Sequence, residues 1–160
     1  MPDDGVVDDV DLAILQALQD DARNNTNAAI SQALGVAPST VGKRIRRLEA
    51  AGIIRGYVPL LAYDLAGFPL HMLFVCTAPI ADRPKLAAAA LALDGVVEVR
   101  ELMTGEGNLH VRTVAASADD VTGIAAALDE LGVRVIDEIL VRSDRRSPLY
   151  PGGSGRGGAR

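Results

Sequence analysis

A single cysteine, Cys76, leaves no partner for an internal disulfide, and a chain without such staples suits a reducing compartment. No apolar run approaches the roughly 18 residues of a membrane-crossing helix, so no membrane partner is expected. The opening MPDDGVVDDVD is acidic and lacks a positive segment leading into an apolar one, which argues against a secretory signal. Together these absences predict a cytoplasmic protein. Also missing are a Gly-rich phosphate loop, a nucleophile elbow and a paired-histidine motif, so no catalytic residue and no cofactor are expected. Lysine is scarce as well. Lys43 and Lys85 stand alone among the cations, the rest being arginine, while aspartates far outnumber glutamates. A high-salt cytoplasm favours that pattern, and a GC-rich genome also biases lysine toward arginine.

What is present is enough for a folded core. The chain has 160 residues, 49% hydrophobic and 23% charged, which allows one medium domain or two small ones. Its formal net charge is −5, yet the cations are not spread evenly. Residues 37–56 carry Lys43, Arg44, Arg46, Arg47 and Arg55 against Glu49 alone. Residues 142–160 carry Arg142, Arg145, Arg146, Arg156 and Arg160 against Asp144. Two basic islands on an acidic body are places where a polyanion can dock.

The first 62 residues have the order of a winged helix-turn-helix. Val10, Ile14, Leu15 and Leu18 recur at helical spacing, with Asp8 or Asp9 as a cap. Thr26 caps a short second helix expected to bury Ala29, Ile30, Ala33 and Leu34, and Gly35 ends it. Pro38 suits the first position of a third helix, which runs to about Ala50 with Val41, Ile45 and Leu48 facing inward, and Gly52 stops it. The β-branched IIRGYVPLLAY then predicts a strand. Residues 63–67 form a linker. Residues 68–142 read as β-α-β-β-α-β, the ferredoxin-like plan, giving an α+β chain overall. Ser117 and Asp120 make a capping box on the second helix of that plan. Both helices would cover one face of the sheet. The first strand is nevertheless apolar on both parities, from Leu70 to Cys76, which predicts a homodimer through the open face. Residues 143–160 read as a flexible basic tail.

On the third helix, Thr40, Lys43, Arg44 and Arg47 share the side opposite Val41, Ile45 and Leu48. The second helix of a helix-turn-helix enters the major groove with its N-terminal residues at base edges. Ser39, Thr40, Lys43 and Arg44 are therefore candidate base readers, and Arg47 and Arg55 candidate phosphate contacts. A solvated basic face without a partner is the plainer alternative; four cations within five residues of an acidic chain favour double-stranded DNA.

These residues resemble the Lrp/AsnC, or feast/famine, family of transcriptional regulators. The similarity lies in DLAILQALQDDAR, GVAPSTVGKRIRRLEAAGII and RGYVPLL, and it continues through the β-α-β-β-α-β segment, which looks like the family's RAM domain. It implies a DNA-binding head, homodimers built through the sheet domain, and higher oligomers up to an octamer. It also implies a small-molecule effector, usually an amino acid, held partly by the loop between the second and third RAM strands. Here that loop is Thr104, Gly105, Glu106, Gly107 and Asn108. Gly105 matches the family's G-x-x-D pattern, and Asn108 stands where Asp is expected, removing a charge able to hold an amino group. A purely structural hairpin turn is the other reading of the loop.

Ala37 also departs from the family, which often has a polar cap there; the missing side-chain acceptor costs ~1 kcal/mol. His71 and His110 fall on neighbouring strands of the plan, but no Cys/His/acid spacing supports a metal, and partly buried, hydrogen-bonded histidines are expected. Siroheme decarboxylase subunits resemble the same two-domain order, which makes an enzyme subunit the alternative function. The basic third helix, for which such an enzyme has no need, separates the two.

Overall fold

Asp8 opens the first helix by a reciprocal box: its side chain accepts the Asp11 N–H at 2.8 Å, and Asp11 accepts the Asp8 N–H at 3.1 Å. In the computed structural model, which describes residues 7–143, this helix is α1 (Asp9–Asp21). Thr26 caps α2 (Asn27–Leu34) by accepting the Ala29 N–H, and Gly35 ends it at φ 68°, the left-handed conformation that glycine adopts most cheaply. Pro38 starts α3 (Pro38–Ala50).

The core of this three-helix unit is Ile14, Ile30 and Val41, with Leu18, Leu34, Val36 and Ile45 packed on it. Two details differ from expectation. Ala29 and Ala33 are exposed, and Ser31 takes the buried place instead. The Ser31 hydroxyl donates to the Ala28 carbonyl at 2.9 Å, which makes its burial cheap. The expected strand after α3 pairs with no other strand among the described residues: 55–62 carries no regular structure, and Tyr57 reaches back to donate to Glu49 at 3.0 Å.

Contacts divide the chain into two units, the second beginning at Leu60. Residues 63–67 form a turn closed by the Phe68 N–H on the Tyr63 carbonyl at 2.8 Å. The second unit runs β1 (Leu70–Thr77), α4 (Arg83–Leu91), β2 (Val96–Glu101), β3 (Leu109–Ala115), α5 (Ala118–Glu130) and β4 (Arg134–Leu140). The strands form one antiparallel sheet in the order β2-β3-β1-β4, as the ferredoxin-like plan requires. Ser117 and Asp120 form the expected capping box on α5.

One face of the sheet presents Phe74, Cys76, Leu109 and Val111 to Ala87 and Ala90 of α4 and to Ile124 and Leu128 of α5. Burial is the main reason that the Cys76 thiol pKa is pushed up to about 11, so it stays neutral and inert. The other face carries Leu73 beside Arg112 and Ile139, and Val75 beside His110 and Asp137. His71 pairs with Val114, not His110, so the two histidines are separated along the ladder by about 13 Å. They cannot share a ligand. Nor is His71 fully hydrogen-bonded as expected: its buried Nε2 has no partner among the described residues, and its ring meets Tyr63 edge-on at 6.0 Å. The described helices include none long and apolar enough to cross a membrane. The tail expected to be flexible falls, from residue 144 onward, outside the described residues.

Candidate nucleic-acid interface

The outward side of α3 is built by the inward one. Val41 and Leu48 are fully buried and Ile45 is half-buried, which turns Ser39, Lys43, Arg46 and Arg47 to solvent, with Thr40 and Arg44 at the border. Gly42, buried within α3, lets α2 approach closely: a Cβ there would sit 3.0 Å from Asn27 Nδ2. A glycine inside a helix costs about 1 kcal/mol against alanine. That cost is the sequence signal of a close approach. Ala37 is extended, at φ −65° and ψ 143°, and provides no side-chain cap to α3, as expected.

The six sequence-derived candidates divide into two groups. Ser39, Thr40, Lys43 and Arg55 have no ion-pair partner among the described residues, and neither does Arg46, which was not a candidate. Arg44 and Arg47 are bound internally instead. Arg44 Nη1 lies 2.6 Å from Asp8 Oδ2 and 2.9 Å from Asp11 Oδ1, and Arg47 Nη2 donates to Asp11 Oδ2. A direct base contact from Arg44 must therefore come from Nη2 or Nε, or break the bonds that Nη1 already makes. The Asp11 side chain is 0% exposed, whereas those of Asp8, Arg44 and Arg47 are 49%, 27% and 51% exposed. Asp11 sits three residues before Ile14 on the buried stripe of α1. A carboxylate on an apolar stripe demands a cation, and that was the legible sign of this cluster.

The hydrogen bond from Arg44, seconded by the Asp11 N–H, lowers the Asp8 pKa from 3.8 to about 2. A depressed folded-state pKa stabilises the fold above 3.8, and that contribution is lost as pH falls through about 2. NMR titration of the Asp8 carboxyl should give a midpoint near 2, and Arg44→Met should move it up toward 3.8.

The loop named for an effector is held from within the second unit. Asn108 is clamped to Ala78 by two bonds of 2.9 Å, its Oδ1 accepting the Ala78 N–H and its Nδ2 donating to the Ala78 carbonyl. Arg83 donates to the Leu102 carbonyl, and the Leu102 N–H bonds the Asn108 carbonyl at 2.9 Å. Gly107 has no room for a side chain, since a Cβ would lie 2.5 Å from Val75 Cγ1. Gly105 has φ 97°, and Thr104 and Glu106 are exposed, Glu106 lying 3.3 Å from Arg134. A cavity of 490 Å³ lies elsewhere in this unit, walled by Leu93, Gly95, Val114 and Ile124, and includes none of the five loop residues.

A family described as winged helix-turn-helix DNA-binding matches residues 7–55. The leucine-responsive regulatory protein of Rhizobium meliloti is 32% identical over 111 residues, covering 68% of this chain and 70% of that protein. The HTH-type transcriptional regulator AldR of Mycolicibacterium smegmatis is 51% identical over 51 residues, which are 32% of this chain and 29% of that regulator. Among solved structures, a feast or famine regulatory protein of M. tuberculosis complexed with L-methionine superposes with a TM-score of 0.79 at 23% identity. It covers 91% of this chain and 100% of that one, a likeness of fold.

Proposed function

The chain belongs to the Lrp/AsnC family of transcriptional regulators, and from that premise we propose that α3 grips duplex DNA and that a small effector, an amino acid, tunes the grip through the second unit. The observation that carries the reading is the outward side of α3, where Ser39, Thr40, Lys43 and Arg46 face solvent or its border without an internal ion pair, with Arg55 beyond the helix. Helix N-terminal hydroxyls and cations are the groups that meet phosphates and base edges in a major groove. Two copies joined through the open sheet face, where Leu73, Val75 and Ile139 remain partly exposed, offer two such helices to successive grooves of a two-fold operator. Association into larger rings adds heads on one DNA stretch and raises effective concentration without new contacts.

The methionine-bound relative supports the amino-acid class of effector. In this chain Thr104, Gly105 and Glu106 are the loop groups left to meet it, because Asn108 is committed to Ala78. The cytoplasm is the compartment this reading assigns, in keeping with the bacterial regulators that this chain is similar to. The named relatives are transcriptional regulators, and none supports the enzyme alternative.

Fluorescence anisotropy with a duplex from the protein's own promoter tests the reading. Lys43→Ala should weaken binding by about 1–3 kcal/mol, roughly 5- to 150-fold, if it meets a base edge. Exposed Lys85, in the second unit, should be replaceable by alanine with no change. Failure of the unaltered protein to bind duplex even in dilute buffer would overturn the reading.

A further inference from the structure

Arg44 donates through one nitrogen to two carboxylates of unlike surroundings. Asp11 is fully buried, bonded as well to Arg47 and to the Asp8 N–H, and a buried charge does not readily give up its cations. Asp8 stands at the surface, and its two oxygens have separate tasks: Oδ1 caps α1 by accepting the Asp11 N–H at 2.8 Å, while Oδ2 takes Arg44 at 2.6 Å. The second bond is exposed and open to exchange with any other anion. Arg44 is also the residue next to Lys43 on the helix that meets DNA.

We propose that Asp8 is an affinity-setting residue, an internal anion that occupies Arg44 and withholds it from DNA phosphates. The proposal rests on the DNA-binding reading of α3. Phosphate affinity arises from the release of counterions condensed on DNA, one set for each cation that docks. When Asp8 already neutralises Arg44, docking through Nη1 must displace a carboxylate, and docking through another nitrogen gains little because the cation is already paired. The displaced carboxylate also stays within a Debye length of the phosphate and repels it. Both effects weaken binding to every sequence alike. Lys43 and Arg46 carry no internal anion and still bind, so base-dependent contacts make up a larger share of the total. The result is a lower affinity for promoter and random duplexes together, with the ratio between them kept.

Asp8→Ser tests this, because serine keeps the capping oxygen and removes only the anion; Asp8→Asn repeats it with a side chain of the same shape. Full-length variants are titrated with promoter and random duplexes between 50 and 200 mM salt. Loss of Asp8 should steepen the plot of log affinity against log salt by about 0.9, so that the affinity lost across that range grows about threefold. Random-duplex binding should tighten several-fold at the low-salt end. Asp9→Asn makes the same charge change one residue away, at a side chain without a bond to Arg44, and should leave the slope nearly unchanged. Adding Arg44→Met to Asp8→Ser should cancel the gain. Equal effects from the Asp8 and Asp9 variants, an unchanged slope, or a gain that survives Arg44→Met would each overturn the proposal while leaving DNA binding intact. Failure of the unaltered protein to bind duplex would instead overturn the reading of α3.

Discussion

Replacing Arg44 and Arg47 together with methionine should destabilise the three-helix unit by about 3–5 kcal/mol, the cost of leaving a buried charge without its partners. Methionine keeps much of the arginine stems' packing, so the change isolates the charges. Asp11 would be left fully buried with only the Asp8 N–H to bond it. A unit this small has a net stability of the same order, so the variant should be largely unfolded in this region at 25 °C. Arg47→Met alone should cost far less, because Arg44 remains on Asp11. Urea denaturation followed by helical circular dichroism measures both. Converting Asp11 to leucine in the doubly substituted protein should recover most of the loss, since apolar replacements of a buried ionic cluster are often neutral or better. If the triple variant were no more stable than the double, the arginines would be acting through packing and not through the carboxylate.

The second large effect is expected at Phe74. It is fully buried at the centre of β1, sharing its core with Cys76, Leu109, Val111 and Leu128. Phe74→Ala should cost about 3–5 kcal/mol through lost transfer energy and the cavity left behind. The same cluster holds Ala78, Ala87 and Ala90, whose short side chains have no reach with which to fill it. The core of the first unit, Ile14, Ile30 and Val41, shares no residue with this one. Hydrogen exchange should therefore accelerate sharply at β1 and β3 amides while α1, α2 and α3 amides keep their protection. Uniform loss of protection across both units would contradict the separation of cores.

The features legible in the sequence are those governed by local rules. Asp8, Thr26 and Ser117 cap as their positions predict, because a capping oxygen needs only the N–H groups two or three residues on. Gly35 closes α2 for an equally local reason. The strand order followed from alternation and from the known plan for that sequence of elements. Asp11 on its apolar stripe signals that some cation is needed, but which one is set by how the helices meet and is not legible. Nothing near Arg44 in the chain announces Asp8 and Asp11, which lie 36 and 33 residues away. Periodicity alone assigned Ala29 and Ala33 to the core, yet a helix of eight residues buries a narrow stripe, and Ile30, Ser31 and Leu34 fill it. The strand predicted from IIRGYVPLLAY had the right composition, but a strand also needs a partner, and composition does not specify one.

The clamp between Asn108 and Ala78 constrains which mutational routes are open to the loop. An amide meets the Ala78 N–H with its oxygen and the Ala78 carbonyl with its nitrogen; an ionised carboxylate meets the second with like polarity. Introducing aspartate at this site would therefore unlatch the end of β1 before it could recruit an amino group. An acid at position 108 would be tolerated only with a compensating change around residue 78, so the two positions are bound to vary together.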